Sequence, residues 1–227
     1  MRAGRGKLPV LAEVSGFDPG ADQVFSLRQT DFERLSAVHE LLAATRCLLV
    51  AGDAGPAAAL GIALAGAAAA AGRRTILVEC DLARPRLAAD LGLEPEPGLH
   101  EYLRWEARPE EVLQAIGLAG AAAGGVEEPL VFIAAGRAAP DPATLFGLRS
   151  FSHVTAKLRG AYELVVLVGP GLDEGGLGLP AVAGRADGLL AALRPAQATR
   201  RGGRQLRAAL GALPVAALGA VVVADEE

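Results

Sequence analysis

The residues best suited to chemistry lie where an apolar run, 47–51, turns into an alanine-rich segment, 56–71. This turn consists of Gly52, Asp53, Ala54, Gly55, Pro56, Ala57 and Ala58. Where a buried strand turns into a helix, the backbone N–H groups at the helix N-terminus bind phosphate groups. A nucleotide site of this type also needs a lysine for the β- and γ-phosphates and a Ser or Thr hydroxyl for magnesium.

The turn keeps the glycines of a phosphate loop but lacks its charged and hydroxyl groups. No Lys, Ser or Thr occurs in residues 52–60. Pro56 cannot donate a backbone hydrogen bond, and Asp53 places a negative charge where phosphate oxygens would lie. We therefore predict a vestigial phosphate loop with no cofactor expected, and weak binding of ATP or ADP with magnesium as the most that remains.

A second polar group follows the next apolar run, 75–78. Glu79 and Asp81 come at its end. Because the carboxyl ends of parallel strands meet at one edge of a sheet, we expect both carboxylates near the vestigial loop. Asp81 could hold a metal ion or a water, or it could cap the following helix, and the sequence leaves both readings open. No metal site is predicted elsewhere.

Continuous apolar runs alternate with helical segments along most of the chain, and this pattern predicts the fold. We expect strands at 47–51, 75–78, 130–134, 164–168, 189–193 and 218–223, and helices at 27–44, 56–71, 84–91, 108–118, 142–159 and 197–210. Buried strands separated by helices are typical of a parallel sheet covered on both faces. The predicted fold class is α/β, with a single doubly wound, mainly parallel sheet and helices on both faces.

Composition limits the domain organisation and the partners. Residues 1–26 are rich in Gly and Pro and show no sustained period, so we predict a flexible N-terminal arm before one domain at 27–227. A net charge of −4 argues against a nucleic-acid partner. The uncharged, alanine-rich run 55–72 is shorter than the roughly 20 residues of a spanning helix. Two cysteines within apolar runs fit a reducing, cytoplasmic location.

Six short motifs occur in an order that is typical of one family. They are 52–59, 76–85 (I-L-V-E-C-D-L-A-R-P), 98–103 (G-L-H-E-Y-L), 136–145 around P-D-P-A, 162–171 and 186–195 (A-D-G-L-L-A-A-L-R-P). This order resembles that of the cytoplasmic bacterial tyrosine kinases of capsule and exopolysaccharide synthesis, which are P-loop proteins related to the partitioning ATPases. The resemblance extends over about 25–223 and implies a P-loop NTPase-like fold.

At the positions that carry the family's chemistry, the chain departs from the family. By this resemblance, the P-loop lysine falls on Ala57, the magnesium-binding Ser or Thr on Ala58, and a second magnesium aspartate on Val168. The base-contacting asparagine falls near Val223, and no tyrosine cluster occurs near the end of the sequence. The loss of one such group typically lowers the catalytic rate about 10²–10³-fold. We therefore do not expect catalytic activity.

The resemblance suggests a catalytically inactive relative of these kinases that acts as a regulatory binding module. Its implied partner is the cytoplasmic segment of a membrane polysaccharide co-polymerase, or an active kinase of the same pathway, which would recruit it to the inner face of the membrane. Interface candidates are Arg28, Arg34, Arg84 and Arg86. A homo-oligomer stays open. The alternatives are a nucleotide-binding switch without hydrolysis, and an active kinase or ATPase with unusual site residues.

Overall fold

The computed structural model of the protein describes residues 8–15, 24–120, 129–199 and 203–224, with side chains omitted at 24–27 and 118–120. The strands are β1 (Val10–Val14), β2 (Val24–Leu27), β3 (Cys47–Gly52), β4 (Thr75–Glu79), β5 (Gln114–Gly120), β6 (Leu130–Ile133), β7 (Leu164–Val168), β8 (Gly188–Leu193) and β9 (Ala217–Val223). The helices are α1 (Gln29–Leu41), α2 (Ala54–Ala70), α3 (Leu87–Asp90), α4 (Leu99–Leu103), α5 (Pro109–Val112), α6 (Pro142–Gly147), α7 (Arg149–Ala161), α8 (Leu179–Ala183), α9 (Pro195–Ala198) and α10 (Arg204–Gly211).

The strands form one nine-stranded sheet in the order β1-β9-β8-β3-β7-β4-β6-β5-β2. Every neighbouring pair is parallel except β5 and β6, which are antiparallel. Strand β3 lies between β7 and β8, and its carboxyl end leads directly into α2. Crossovers through helices connect the parallel strands, as expected for an α/β protein.

Two apolar cores cover the two faces of the sheet. Alternate residues of β3 point to opposite sides, so Leu48 and Val50 join the core under α1 and α2. Leu49 and Ala51 join the other core, which includes residues of α4, α7, α8 and α10. The doubly wound, mainly parallel α/β fold predicted from the sequence is therefore confirmed. Among the described residues, no helix is long and apolar enough to cross a bilayer.

The expected helix at 108–118 is wrong over most of its length. The chain forms only the short helix α5 there and then enters β5, which pairs with β6 through Gln114↔Phe132 and Ile116↔Leu130. Local spacing favoured a helix because Val112 and Ile116 lie four residues apart, and both are buried. The open edge of β6 offers backbone partners, and this tertiary pairing outweighs local helix preference.

The flexible arm predicted for 1–26 is corrected at two places. Residues 10–14 form β1 alongside β9, and residues 24–27 form β2 alongside β5. The guanidinium of Arg34 on α1 donates to the carbonyl oxygen of Glu13 at 2.7 Å, which holds β1 in place. Residues 1–7 and 16–23 lie outside the described residues, so the prediction stands untested there.

Two predicted helices are each divided in the structure. The segment 142–159 forms α6 and α7, which are separated by Leu148 in an extended conformation. The segment 197–210 corresponds to α9 and α10, with residues 200–202 outside the described residues. The division at Leu148 matters because it creates a helix N-terminus at Arg149 that the sequence pattern did not indicate.

Candidate functional site

The vestigial phosphate loop is covered by the loop that follows β7. The N–H of Leu172 donates to the carbonyl oxygen of Gly52 at 2.9 Å. The N–H of Ala54, in the first turn of α2, donates to Oδ1 of Asp173 at 2.9 Å. A side chain at Gly171 would place its Cβ 2.6 Å from that of Ala54. The N-terminus of α2 therefore already binds an anion, and that anion is the protein's own carboxylate.

Arg194, which follows β8, neutralises the acidic residues of this contact. Its Nε lies 3.3 Å from Oδ2 of Asp53, and its Nη2 lies 3.6 Å from Oδ2 of Asp173. The side-chain amide of Gln197 also donates to Oδ2 of Asp53 at 2.8 Å. Asp53 was expected to repel phosphate, and it is instead part of a neutralised group that ties β8 and the β7 loop to the start of α2.

The three positions on which the motif resemblance places the P-loop lysine, the hydroxyl and the magnesium aspartate are core positions here. Ala57, Ala58 and Val168 are all buried and belong to one apolar core. Val168 packs against Gly61, where a Cβ would collide with its side chain, so α2 lies directly on β7. The alanine-rich face of α2 thus serves close helix–sheet packing, and it offers no donor or metal ligand at these positions.

Glu79 binds backbone amides at the carboxyl end of β4. Its Oε1 accepts hydrogen bonds from the N–H groups of Arg86 and Leu87, at 2.6 and 2.8 Å, and its Oε2 accepts one from Ala135 at 3.1 Å. Burial raises the pKa of Glu79, and these three hydrogen bonds oppose that effect. The carboxylate therefore joins β4 to the start of α3 and the end of β6, and has no exposed surface for a ligand.

Asp81 lies in the turn after β4 and makes local contacts. Its Oδ1 accepts a hydrogen bond from the N–H of Arg84 at 3.1 Å, and the N–H of Gly171 also donates to its carboxylate. Burial raises the pKa of Asp81 despite these bonds. These bonds hold the turn that precedes α3 and do not cap that helix, whose N-cap residue is Arg86, so neither of the two predictions for Asp81 is confirmed.

A small cavity lies beside Asp81. The cavity between the β4–α3 turn and the β7 loop has a volume of about 30 Å³ and is lined by Asp81, Arg84, Pro170 and Glu174. Pockets for small ligands usually measure about 300–1,000 Å³. Among the described residues at this edge, Ala57, Ala58 and Val168 supply no ammonium group, hydroxyl or carboxylate, and the N–H of Ala54 is already bonded to Asp173.

The four arginines proposed as interface residues form two separate pairs. Arg86 and Arg84 both contact Glu174 of the β7 loop, with N–O distances of 2.7 and 3.4 Å. Arg28 and Arg34 contact Asp31 on α1, at 3.4 and 3.9 Å. The side chains of Arg84, Arg28 and Arg34 are 59%, 58% and 55% exposed, and that of Arg86 is 32% exposed. Arg34 and Arg86 also donate hydrogen bonds within the fold.

The structure brings together most of the predicted site and adds residues that the sequence interpretation missed. The turn 52–58, Asp81 and Arg84 meet at the carboxyl edge of the sheet. Asp173, Glu174 and Arg194 were not predicted, and they make the charged contacts that close this edge. The adjacent acids Asp173 and Glu174 in a glycine-rich loop were the signal that could have indicated them.

Comparisons with solved structures place this fold in a known class. The kinase domain of Escherichia coli tyrosine kinase ETK superimposes with a TM-score of 0.72 at 19% identity, covering 85% of this chain and 75% of that domain. The BceF tyrosine kinase domain gives a TM-score of 0.72 at 19% identity, and the superposition covers 96% of this chain and 93% of that domain. The cell division ATPase MinD of Pyrococcus furiosus gives 0.52 at 18% identity, covering 78% and 71%.

The protein therefore has the P-loop NTPase fold, in the form found in bacterial tyrosine kinase domains. The resemblance seen in the ordered motifs is confirmed at the level of the fold. No protein-family model matches the chain, and no curated protein sequence matches it significantly. A cobyrinic acid a,c-diamide synthase from Mycobacterium smegmatis, at a TM-score of 0.52 and 23% identity, has been solved with an ATP analogue and magnesium bound.

Proposed function

We propose that this protein is a catalytically inactive relative of the polysaccharide-pathway tyrosine kinases that acts as a regulatory binding module. The observation that carries the proposal is the contact between Asp173 and the N–H of Ala54 at 2.9 Å. A phosphate group of a nucleotide would need this same amide. The internal carboxylate is attached to the chain, so a nucleotide would have to displace it without gaining a lysine contact at position 57.

Electrostatics support this proposal. Phosphoryl transfer depends on positive groups and metal ions that stabilise charge on the transferred phosphate. The arginines at this edge are Arg194, Arg86 and Arg84. They are already paired with Asp53, Asp173 and Glu174. A triphosphate would bring further negative charge to carboxylates and would leave them without their counterions, which is unfavourable at a partly desolvated site.

The proposed partner is the cytoplasmic segment of a membrane polysaccharide co-polymerase, or an active kinase of the same pathway. Binding to either would place the protein at the inner face of the membrane. Arg84 and Arg28 are the best candidates for contact with such a partner, because their side chains remain more than half exposed while paired. Arg34 is a poor candidate, since its hydrogen bond to Glu13 holds β1 in place.

Equilibrium binding of ATP and ADP to the purified chain, with and without magnesium, tests the inactive state. We expect no saturable binding at nucleotide concentrations up to about 1 mM, which corresponds to a free energy weaker than about −4 kcal/mol. A phosphotransfer assay with labelled ATP, with the ETK kinase domain run in parallel as positive control, should show no labelling of this chain. Magnesium-dependent binding would instead favour the nucleotide-switch alternative, and labelled Tyr102 or Tyr162 would favour an active kinase.

Direct binding to purified partners tests the regulatory role. The cytoplasmic segment of the co-polymerase and the kinase domain encoded with it would each be titrated against the chain. Arg84→Ala and Arg28→Ala should weaken the complex, whereas the exposed Arg204→Ala on α10 serves as the matched control. If neither purified partner binds, the regulatory proposal is wrong, whatever the nucleotide result.

A further inference from the structure

An open groove lies beside the only tryptophan of the chain, away from the vestigial phosphate loop. Its volume is about 740 Å³, and its lining includes Arg104, Trp105, Leu148, Arg149, Ser150 and His153. This volume lies within the range of small-ligand sites. The groove joins the end of α4 to the start of α7, and none of these residues takes part in the contacts at the start of α2.

The N-terminus of α7 opens into this groove and has the features of an anion site. The N-cap residue, Leu148, has no side-chain acceptor for the first amides of the helix. Ser150 lines the groove and is only 6% exposed, yet its hydroxyl has no hydrogen-bond partner among the described residues. A buried hydroxyl without a partner is unusual in folded proteins, and a ligand oxygen would satisfy it.

A cation lies at the same helix end. Arg149 is the first residue of α7, is exposed, and has no acidic partner in the part of the chain that the structure describes. A positive charge at a helix N-terminus opposes the helix dipole and weakens the helix. An anion bound between Arg149, the Ser150 hydroxyl and the first amides would reverse this unfavourable interaction.

The opposite side of the groove is aromatic. The indole of Trp105 is 69% exposed, and its ring centroid lies 6.4 Å from that of His153 at an interplanar angle of 43°. Trp105 has a φ of 64°. Its backbone N–H donates to the carbonyl oxygen of Tyr102, and the backbone N–H of Glu106 donates to the carbonyl oxygen of Glu101. These bonds define a Schellman motif, in which glycine normally takes this position. An exposed tryptophan in such a sparsely populated conformation points to a binding role.

Positive charge continues along α7 past the groove. Arg149, His153 and Lys157 are spaced four residues apart, so they lie on one face of the helix. In the described segments none of the three has an ion-pair partner. Lys157 lines an adjoining groove of about 460 Å³ that also contains Trp105. Two acids line this second groove. Glu106 is engaged with Arg104 and Arg137, and Glu111 with Arg108. An acidic occupant would therefore match this surface.

We propose that this groove binds a phosphate monoester carried on an aromatic ring, namely a phosphotyrosine side chain in an acidic segment of a partner protein. The phosphate contacts Arg149, the Ser150 hydroxyl and the first amides of α7. The ring packs against Trp105, and neighbouring acidic residues meet His153 and Lys157. The inference rests on the proposed binding function only for the class of partner, and the groove itself is independent of the nucleotide question.

Fluorescence titration of the full chain tests the site directly, because Trp105 is its only tryptophan. Phenyl phosphate and phosphotyrosine should give a saturable change, whereas phenol should give none. Inorganic phosphate should bind roughly tenfold more weakly, because it lacks the ring that packs on the indole. An acidic pentapeptide with central phosphotyrosine should bind more tightly than phenyl phosphate, and its unphosphorylated form should not bind.

Two variants and a matched control locate the phosphate. Arg149→Ala should weaken binding of phenyl phosphate roughly tenfold or more, since a charge-assisted hydrogen bond is lost. Ser150→Ala should weaken it several-fold and should fold normally, because its hydroxyl has no partner to lose. Arg204→Ala removes a similar exposed arginine at the first position of α10 and should leave binding unchanged.

Several results would overturn the inference. The first is the absence of a saturable fluorescence change up to about 10 mM phenyl phosphate. The second is equal affinity for inorganic phosphate and phenyl phosphate. The third is an equal loss of phenyl phosphate affinity in the Arg204→Ala and Arg149→Ala variants. A pentapeptide that binds more weakly than phenyl phosphate would exclude a protein-borne ligand. None of these results bears on ATP binding at α2, so failure here is distinguishable from failure of the proposed function.

Discussion

The carboxylate of Asp173 accepts a hydrogen bond from the N–H of Ala54 across 119 residues of sequence. In a P-loop protein, the amides at this helix start bind the phosphates of a nucleotide. Here a side chain of the β7 loop makes the contact, and Arg194 balances its charge. The start of α2, which carries alanine at positions 57 and 58, is therefore held by an internal interaction with the β7 loop.

Replacing Asp173 should destabilise the protein without creating a nucleotide site. Asp173→Ala removes one acceptor at the start of α2, so we expect the free energy of unfolding to fall by about 1 kcal/mol. Asp173→Asn keeps an acceptor oxygen, so its free energy of unfolding should lie between those of Asp173→Ala and the wild type. Urea unfolding measures both, with the exposed Glu40→Ala as control. Equal stability of Asp173→Ala and the wild type would contradict the interpretation.

Glu79 should tolerate even an isosteric change poorly. In the wild type, a carboxylate oxygen of Glu79 accepts a hydrogen bond from the N–H of Ala135. In Glu79→Gln the side-chain NH₂ group can take the place of that oxygen, so two hydrogen-bond donors face each other in a buried site. We expect a loss of about 2 kcal/mol in unfolding free energy. Glu94→Gln, at an exposed position, should change stability by no more than about 0.5 kcal/mol. A similar small effect at Glu79 would show that its three hydrogen bonds contribute little.

Asp187 should make stability depend on acid pH. Burial raises its pKa, but the hydrogen bonds from Arg159 and from the amides of Cys47 and Arg46 outweigh this, so the pKa is lowered. A lowered carboxyl pKa stabilises the fold above the unfolded value of about 3.9, and the contribution is lost as pH falls through the folded value.

The Asp187→Ala variant checks this sign. At about pH 7 the substitution should lower the free energy of unfolding by about 1 kcal/mol. This value is small because the ion pair with Arg159 is partly exposed to solvent. Unfolding measured again near pH 3 should show a smaller difference between variant and wild type. A difference that grows on acidification would contradict the assigned direction of the pKa shift.

The two cysteines should be inert in the folded state. Cys47 and Cys80 are completely buried, and burial raises the pKa of Cys47 to about 12. Ellman's reagent should therefore label neither thiol at about pH 8 in the native protein, because labelling requires an accessible thiolate. In denaturant both should react. Fast labelling of either thiol without denaturant would mean that β3 or the end of β4 opens readily.

The backbone at Trp105 should favour glycine. Trp105→Gly removes a side chain from a left-handed position, and Trp105→Ala keeps a Cβ there. We expect the glycine variant to be about 1 kcal/mol more stable than the alanine variant. Thermal unfolding followed by circular dichroism measures this difference without tryptophan fluorescence. If alanine is the more stable, the positive φ at this position carries no conformational strain.

Most of the central fold could be predicted from the sequence because its signals are local. Runs such as Leu164–Val168 are continuously apolar, and helices of suitable length separate them, so a buried parallel sheet is the arrangement that fits. The chemical loss at Ala57 and Ala58 is also readable directly, since alanine supplies neither an ammonium group nor a hydroxyl. These conclusions depend on residue type and spacing along the chain.

The edge strands and the charged contacts could not be predicted in this way. β1 pairs with β9 (Val10↔Ala220) and β2 pairs with β5 (Val24↔Gly117), and no local pattern reports partners so distant in sequence. Likewise, Asp53 alone predicts repulsion of phosphate, whereas the fold brings Gln197 to it from 144 residues away. Residue types determined which chemistry the chain lacks. Only the tertiary structure decided which groups fill the site, because side chains distant in sequence meet there only after the sheet has formed.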